Sequence, residues 1–306
     1  LSEALPYGSE VEMLVDCHQH LWPPRLVEAL RRRSSFPYLR GWTLHLAGEP
    51  PYEVDPAAHD VDRRRRDELD EVVVSLSSPL GIEHLPGDEG AELIDIWHES
   101  ALELGDPFRV WAAASVTEPD VDALTKTLSE DRIAGLQLPA TALTCPVDIE
   151  RSGPVLAAAE AAGKPVLIHP GPAPACDPGL PGWWPALVPY VSQLHQSWLA
   201  WHIAGRRQHP RLRIAFVALA GLAPLHHERL TARGGALGPL DPYVYYETSS
   251  YGPRAVDALV RVVGVDPIVH GSDKPYASRL ECDFGAAFTH AVFTANPRHL
   301  LYGDPR

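Results

Sequence analysis

Residues 109–138 read RVWAAASVTEPDVDALTKTLSEDRIAGLQL. The two ends of this stretch, 109–114 and 133–138, are short, mainly apolar runs of the kind a strand shows when both its faces are buried. Between them, 119–128 carries a helical pattern. Strand, helix, strand is the repeating unit of a parallel α/β protein. Outward from it the same alternation continues, with strands expected at 11–16, 71–76, 165–169, 212–219, 243–248 and 267–270. Helices are expected at 88–104, 153–162, 190–208 and 253–263. Eight strands, mostly followed by helices, fit a (β/α)8 TIM barrel better than an open doubly wound sheet. No Gly-rich dinucleotide fingerprint follows the first strand, which weakens the open-sheet reading further.

Composition narrows the function classes. The chain has 306 residues, and 40 Asp+Glu against 26 Lys+Arg give a net charge of −14. That charge argues against nucleic acid, which needs a basic footprint, and against anionic membranes. No apolar run approaches the roughly 20 residues that span a bilayer. Cys17, Cys145, Cys176 and Cys282 are scattered without a CxxC pair, so reduced thiols in a cytoplasmic protein are expected. Residues 1–12 precede the one methionine, Met13, and are read as a tag or N-terminal extension, leaving 13–306 as one barrel domain. Fifteen histidines stand out, because imidazole both binds metals and carries protons near neutral pH.

Two segments break the alternation. Residues 21–60 form a long connection with six prolines, and 170–189 (PGPAPACDPGLPGWWPALVP) is too rich in Pro and Gly for a central strand or a long helix. Both follow strands, and so both fall at the C-terminal face of a barrel, where active sites are built. They are the expected lid or pocket walls.

The first strand ends in Asp16-Cys17-His18-Gln19-His20. Side chains alternate along a strand, so His18 and His20 share one face. His169 ends the fifth strand, and Asp273 follows the eighth. Three imidazoles and a carboxylate at one barrel mouth would hold a divalent cation and leave a position open for water. Such a cation lowers the pKa of water towards neutrality, and a carboxylate can take the proton.

These motifs resemble the amidohydrolase-2 branch of the amidohydrolase superfamily, which includes aminocarboxymuconate-semialdehyde decarboxylase and related aromatic-acid decarboxylases. The resemblance rests on VDCHQH (15–20), GLQLPA (135–140), KPVLIHPG (164–171), PRLRIAF (210–216), HGSDKPYA (270–277) and NPRHLLYG (296–303), in the family order. It implies metal ligation by His18, His20, His169 and Asp273, usually of zinc, with manganese as the alternative. It also suggests a homodimer.

One position departs from the pattern. The family carries a histidine after the sixth strand as an acid/base; here that position is Ala218. An alanine moves no proton, and general acid–base help is worth ~10²–10⁴-fold. His226 and His227, just beyond, are candidate replacements, and Asp273 is a candidate to serve as both ligand and proton acceptor. Arg40 is a candidate clamp for a substrate carboxylate, since a planar guanidinium suits that task. Trp183 and Trp184 are candidates for an aromatic pocket wall. His195 and His202 are taken as packing residues, and the Arg run at 63–66 as a solvated face. Because hydrolysis tolerates the missing histidine better than decarboxylation, the first expectation is a mononuclear metal hydrolase acting on a small ester, lactone or amide. A carboxy-lyase of a small aromatic or unsaturated acid stands second. A catalytically altered barrel that only binds a small molecule stands third.

Overall fold

The computed structural model describes residues 13–66, 69–175, 177 and 179–303. The expected extension at 1–12 and Cys176 lie outside these. Eight strands form one sheet: β1 Val15–Gln19, β2 Glu71–Val74, β3 Phe108–Ala112, β4 Ile133–Pro139, β5 Val166–His169, β6 Ile214–Phe216, β7 Val244–Glu247 and β8 Ile268–Val269. They lie in sequence order, and every neighbouring pair is parallel. Cys17 N donates to the His270 carbonyl at 2.9 Å and Asp273 N to that of His18 at 2.9 Å. These bonds bring the first strand against the chain around the last. With helices packed outside, the architecture is the (β/α)8 barrel that the alternation predicts.

The strand–helix–strand unit within 109–138 forms as expected. Asp120 caps the helix Val121–Leu128 by accepting from Ala123 N at 2.9 Å, and Leu124 and Leu128, one turn apart, are buried. On β3, Trp111 packs over Gly135 so closely that a Cβ there would overlap its ring. The indole donates to the Cys17 carbonyl at 2.8 Å, tying β3 to β1. The helix Pro253–Val263 likewise buries Val256, Leu259 and Val263, each worth about 1.5–3 kcal/mol when fully withdrawn from water.

Three departures are physical. The sixth strand stops at Phe216 rather than running to 219, because residues 218–222 have φ of 48°, 51°, 56°, 59° and 63°. That is a left-handed turn, in which each residue other than glycine is strained by ~1–2 kcal/mol. Ala218→Gly is expected to raise stability by about 0.5–1 kcal/mol in chemical denaturation; a loss would show that the turn is not strained at this residue. The connection after β1 is built rather than irregular. It carries a helix, Pro24–Arg32, with a proline in its first turn, and an antiparallel sheet of Tyr38–Arg40, Thr43–His45 and Tyr52–Glu53. The Arg run is not wholly solvated: Arg64 is buried, pairs with Gln19 Oε1, and donates to the His20 carbonyl at 3.1 Å.

Candidate metal centre

His18, His20, His169 and Asp273 meet at the C-terminal mouth of the barrel. His20 Nε2 lies 3.2 Å from His18 Nε2, 3.3 Å from His169 Nε2 and 3.1 Å from Asp273 Oδ1. All four ligand atoms fall within 4.8 Å of one another. Strand alternation puts the first two on one face, and β5 delivers the third at its last residue. Asp273 stands in the left-handed region, φ 56°, a conformation Asp adopts more readily than most residues.

The outer nitrogens show what the inner ones face. His20 Nδ1 donates to the Ser75 carbonyl at 3.1 Å, and His169 Nδ1 to that of Pro170 at 2.9 Å. A carbonyl only accepts, so Nδ1 carries the proton in both rings and Nε2 presents a lone pair. His18 Nδ1 faces Glu247 Oε2 at 3.4 Å. Asp273 Oδ1 is buried and makes no hydrogen bond. Lone pairs converging at this range repel unless a cation lies among them. The donor set, each histidine held from behind by an oxygen, therefore fits a divalent metal.

Electrostatics agree for two of the rings. Burial depresses the basicity of His20, and burial with neighbouring His18 and His20 depresses that of His169 further, favouring neutral imidazoles. For His18 burial acts the same way, but the hydrogen bond to Glu247 and the charge of Asp273 outweigh it and raise the ring. Burial also raises the Asp273 carboxyl, yet the close approach of His20 and the charge of the surrounding histidines outweigh it and lower the group below its ordinary value.

Glu247 escaped the sequence reading. It ends β7 fully buried and accepts from Ser249 N at 2.5 Å, Ser249 Oγ at 2.7 Å and Ala218 N at 3.2 Å. Gly271 makes room for it, since a Cβ there would overlap the carboxylate. The only available signal was a lone acid closing the run Val244-Tyr245-Tyr246. Asp16 is a second such brace. It accepts from His18 N at 3.1 Å, Ser272 N at 3.0 Å and Gln19 Nε2 at 2.8 Å, joining the ends of β1 and β8.

A cavity of about 540 Å³ opens over the four residues. The two long connections wall it, Leu44, Leu46 and Tyr52 from one and Leu187 and Tyr190 from the other side. Tyr190 donates to Glu49 across them at 2.5 Å. Ala218, at the position where the family pattern has an imidazole, lines the cavity.

The other expected site residues do not reach it. Arg40 is exposed, stacks on Tyr38 at 4.5 Å and donates to the Arg33 carbonyl at 2.9 Å; being engaged there, it clamps nothing in the cavity. Among the described residues, no Lys or Arg lines the cavity. Trp183 is 57 % exposed, and neither it nor Trp184 lines the wall, which their neighbours Gly182 and Pro185 do. His226 and His227 border a different cavity, because the left-handed turn carries the chain away from the mouth.

No sequence-family profile matches the chain, and no curated protein matches it by sequence. Solved structures do match by shape. Metarhizium anisopliae IDCase superposes with a TM-score of 0.75 at 18% identity, covering 96% of this chain and 98% of that one. An amidohydrolase II superposes at 0.71 with 20% identity, covering 94% and 99%. The 5-carboxyvanillate decarboxylase of Novosphingobium aromaticivorans, complexed with manganese and 4-hydroxy-3-methoxy-5-nitrobenzoic acid, superposes at 0.65 with 15% identity, covering 96% and 97%. The chain thus shares its fold with barrels of the amidohydrolase-2 type, and the resemblance carried by its motifs holds at the level of fold. Among the described residues no helix is long and apolar enough to cross a membrane.

Proposed function

We propose that the protein is a metal-dependent carboxy-lyase of the amidohydrolase-2 type, releasing carbon dioxide from a small aromatic or unsaturated acid. The observation that carries this reading is the cavity itself: one carboxylate, Asp273, at the ligand cluster, beneath a wall rich in Leu, Pro and Tyr. A divalent cation held by His18, His20, His169 and Asp273, zinc or manganese, would supply the positive charge that draws in and orients a carboxylate. The arginine clamp is then unnecessary, consistent with a wall that holds none. Non-oxidative decarboxylation replaces one carboxyl group by one proton on the same carbon. Asp273, the one carboxylate among the four clustered residues, is placed to take up a proton from solvent and pass it to that carbon. The apolar wall excludes water, so a charged carboxylate is less favoured there relative to neutral carbon dioxide.

Hydrolysis, the first expectation from sequence, asks for more. It needs a base for the water and an acid for the leaving atom, and the histidines offered for that work lie elsewhere. The named decarboxylase among the similar structures adds support for the lyase reading.

The test is to load the protein with manganese and trap carbon dioxide from carboxyl-labelled 5-carboxyvanillate, 2,6-dihydroxybenzoate and other hydroxybenzoates. A panel of aryl esters and lactones is assayed in parallel. Metal-dependent gas release from at least one acid is expected, lost on chelation. Metal-dependent ester or lactone cleavage with no gas from any acid would return the reading to a hydrolase.

A further inference from the structure

His226 and His227, which the metal centre leaves unused, belong to a second cavity of about 320 Å³. It lies behind the wall of the first. On the helix Pro189–Ala200, Val191 and Leu194 line the main cavity, whereas His195, Trp198 and Leu199 line the second. On the segment Ala218–His226, Ala218 faces the first and Ala223 and His226 the second.

The chemistry of this second cavity is divided. Two of its ten lining residues are cationic, Arg229 and Arg233, and three are imidazoles, His195, His226 and His227. None is acidic, in a chain whose net charge is −14. The other five are Trp198, Leu199, Ala223, Leu230 and Leu237. Trp198 turns its one donor away, to Tyr246 Oη at 3.1 Å, and so offers the cavity only an apolar ring. His195 and His226 sit with ring centroids 4.7 Å apart. Arg229 and Arg233, four residues apart at the helix His227–Ala232, share a face at the exposed rim.

We propose that this cavity is a binding site for a small organic anion: one carboxylate on an apolar or aromatic body. The carboxylate meets the Arg229 and Arg233 guanidiniums, whose forked donors match its two oxygens. The body covers Trp198, Leu199 and Leu237. The volume falls within the range of small-molecule sites, ~300–1,000 Å³. Inorganic phosphate would satisfy the arginines but leave the apolar floor uncovered.

The probe is 4-phenylbutyrate, titrated calorimetrically into the full chain freed of metal, so that the main cavity offers no cation to a carboxylate. Wild type is compared with an Arg229→Gln/Arg233→Gln variant whose thermal melt matches it. The neutral 4-phenylbutanol and inorganic phosphate are titrated alongside. Saturable binding of 4-phenylbutyrate is expected, weakened at least about tenfold in the variant, or about 1.4 kcal/mol. Both comparison ligands should bind at least about tenfold more weakly than 4-phenylbutyrate. No saturation at millimolar concentrations, unchanged affinity in the variant, or equal affinity for either comparison ligand would each overturn the proposal.

Discussion

Asp273→Asn is expected to leave the barrel folded and to cost the enzyme its turnover. The substitution keeps the shape of the side chain and an oxygen able to ligate, but removes the negative charge and the ability to carry a proton. If Asp273 delivers the proton that replaces the carboxyl group, the rate should fall by about 10²–10⁴, the usual worth of general acid–base help. Among the described residues lining the cavity, the remaining titratable groups outside the ligand set are Glu49 and tyrosines, and Glu49 accepts from Tyr190. Among the described residues, no second carboxylate belongs to the four-residue cluster. The measurement is carbon dioxide release by the manganese-loaded variant, with bound metal and thermal unfolding followed on the same sample. Turnover within about tenfold of wild type, metal retained, would remove Asp273 from the proton step.

The second large effect is expected at a residue that touches no substrate. Glu247 holds His18 from behind and gathers three further donors, from Ser249 and Ala218. Glu247→Gln places an amide NH2 where an acceptor is required, leaving at least one buried donor unpaired at a cost of about 1–3 kcal/mol. It also releases the orientation of His18. Losing such an outer partner lowers metal affinity by roughly 10–100-fold. Competition with a chelator of known affinity measures the first consequence and thermal unfolding the second. A variant that holds metal as tightly as wild type and melts with it would show that Glu247 braces neither.

The contrast between these residues explains what could be read from sequence. A barrel declares itself through repetition, and strand, helix, strand recurs often enough that small errors at each boundary do not matter. The candidate ligands at strand ends were legible for the same reason: two-residue periodicity fixes the face of His18 and His20, and strand termini fix where His169 and Asp273 arrive. Glu247 was hidden because an acid at a strand end ordinarily reads as a solvent-facing residue, and only the missing Cβ of Gly271 lets it stay inside. Arg64 was hidden in its own run, one buried guanidinium among exposed neighbours.

The histidine pair at 226 and 227 misled for a different reason. Closeness along the chain was taken for closeness in space, but the five left-handed residues intervene. Arg40 misled similarly, because an arginine in a loop over the mouth has many places to go, and this one found an aromatic ring. The order of the two chemistries changed for a reason no single residue carries. The wall composition of the main cavity comes from separate segments that meet only in three dimensions.

The left-handed turn bears on how this site could change over time. Ala218 holds φ of 48° at the edge of the main cavity, with its amide already committed to Glu247. Histidine visits that backbone conformation several-fold more readily than most side chains. The imidazole missing here is thus an absence of side chain and not of scaffold: a lineage, or an engineer, could restore a proton carrier at this spot without redrawing the main chain around it.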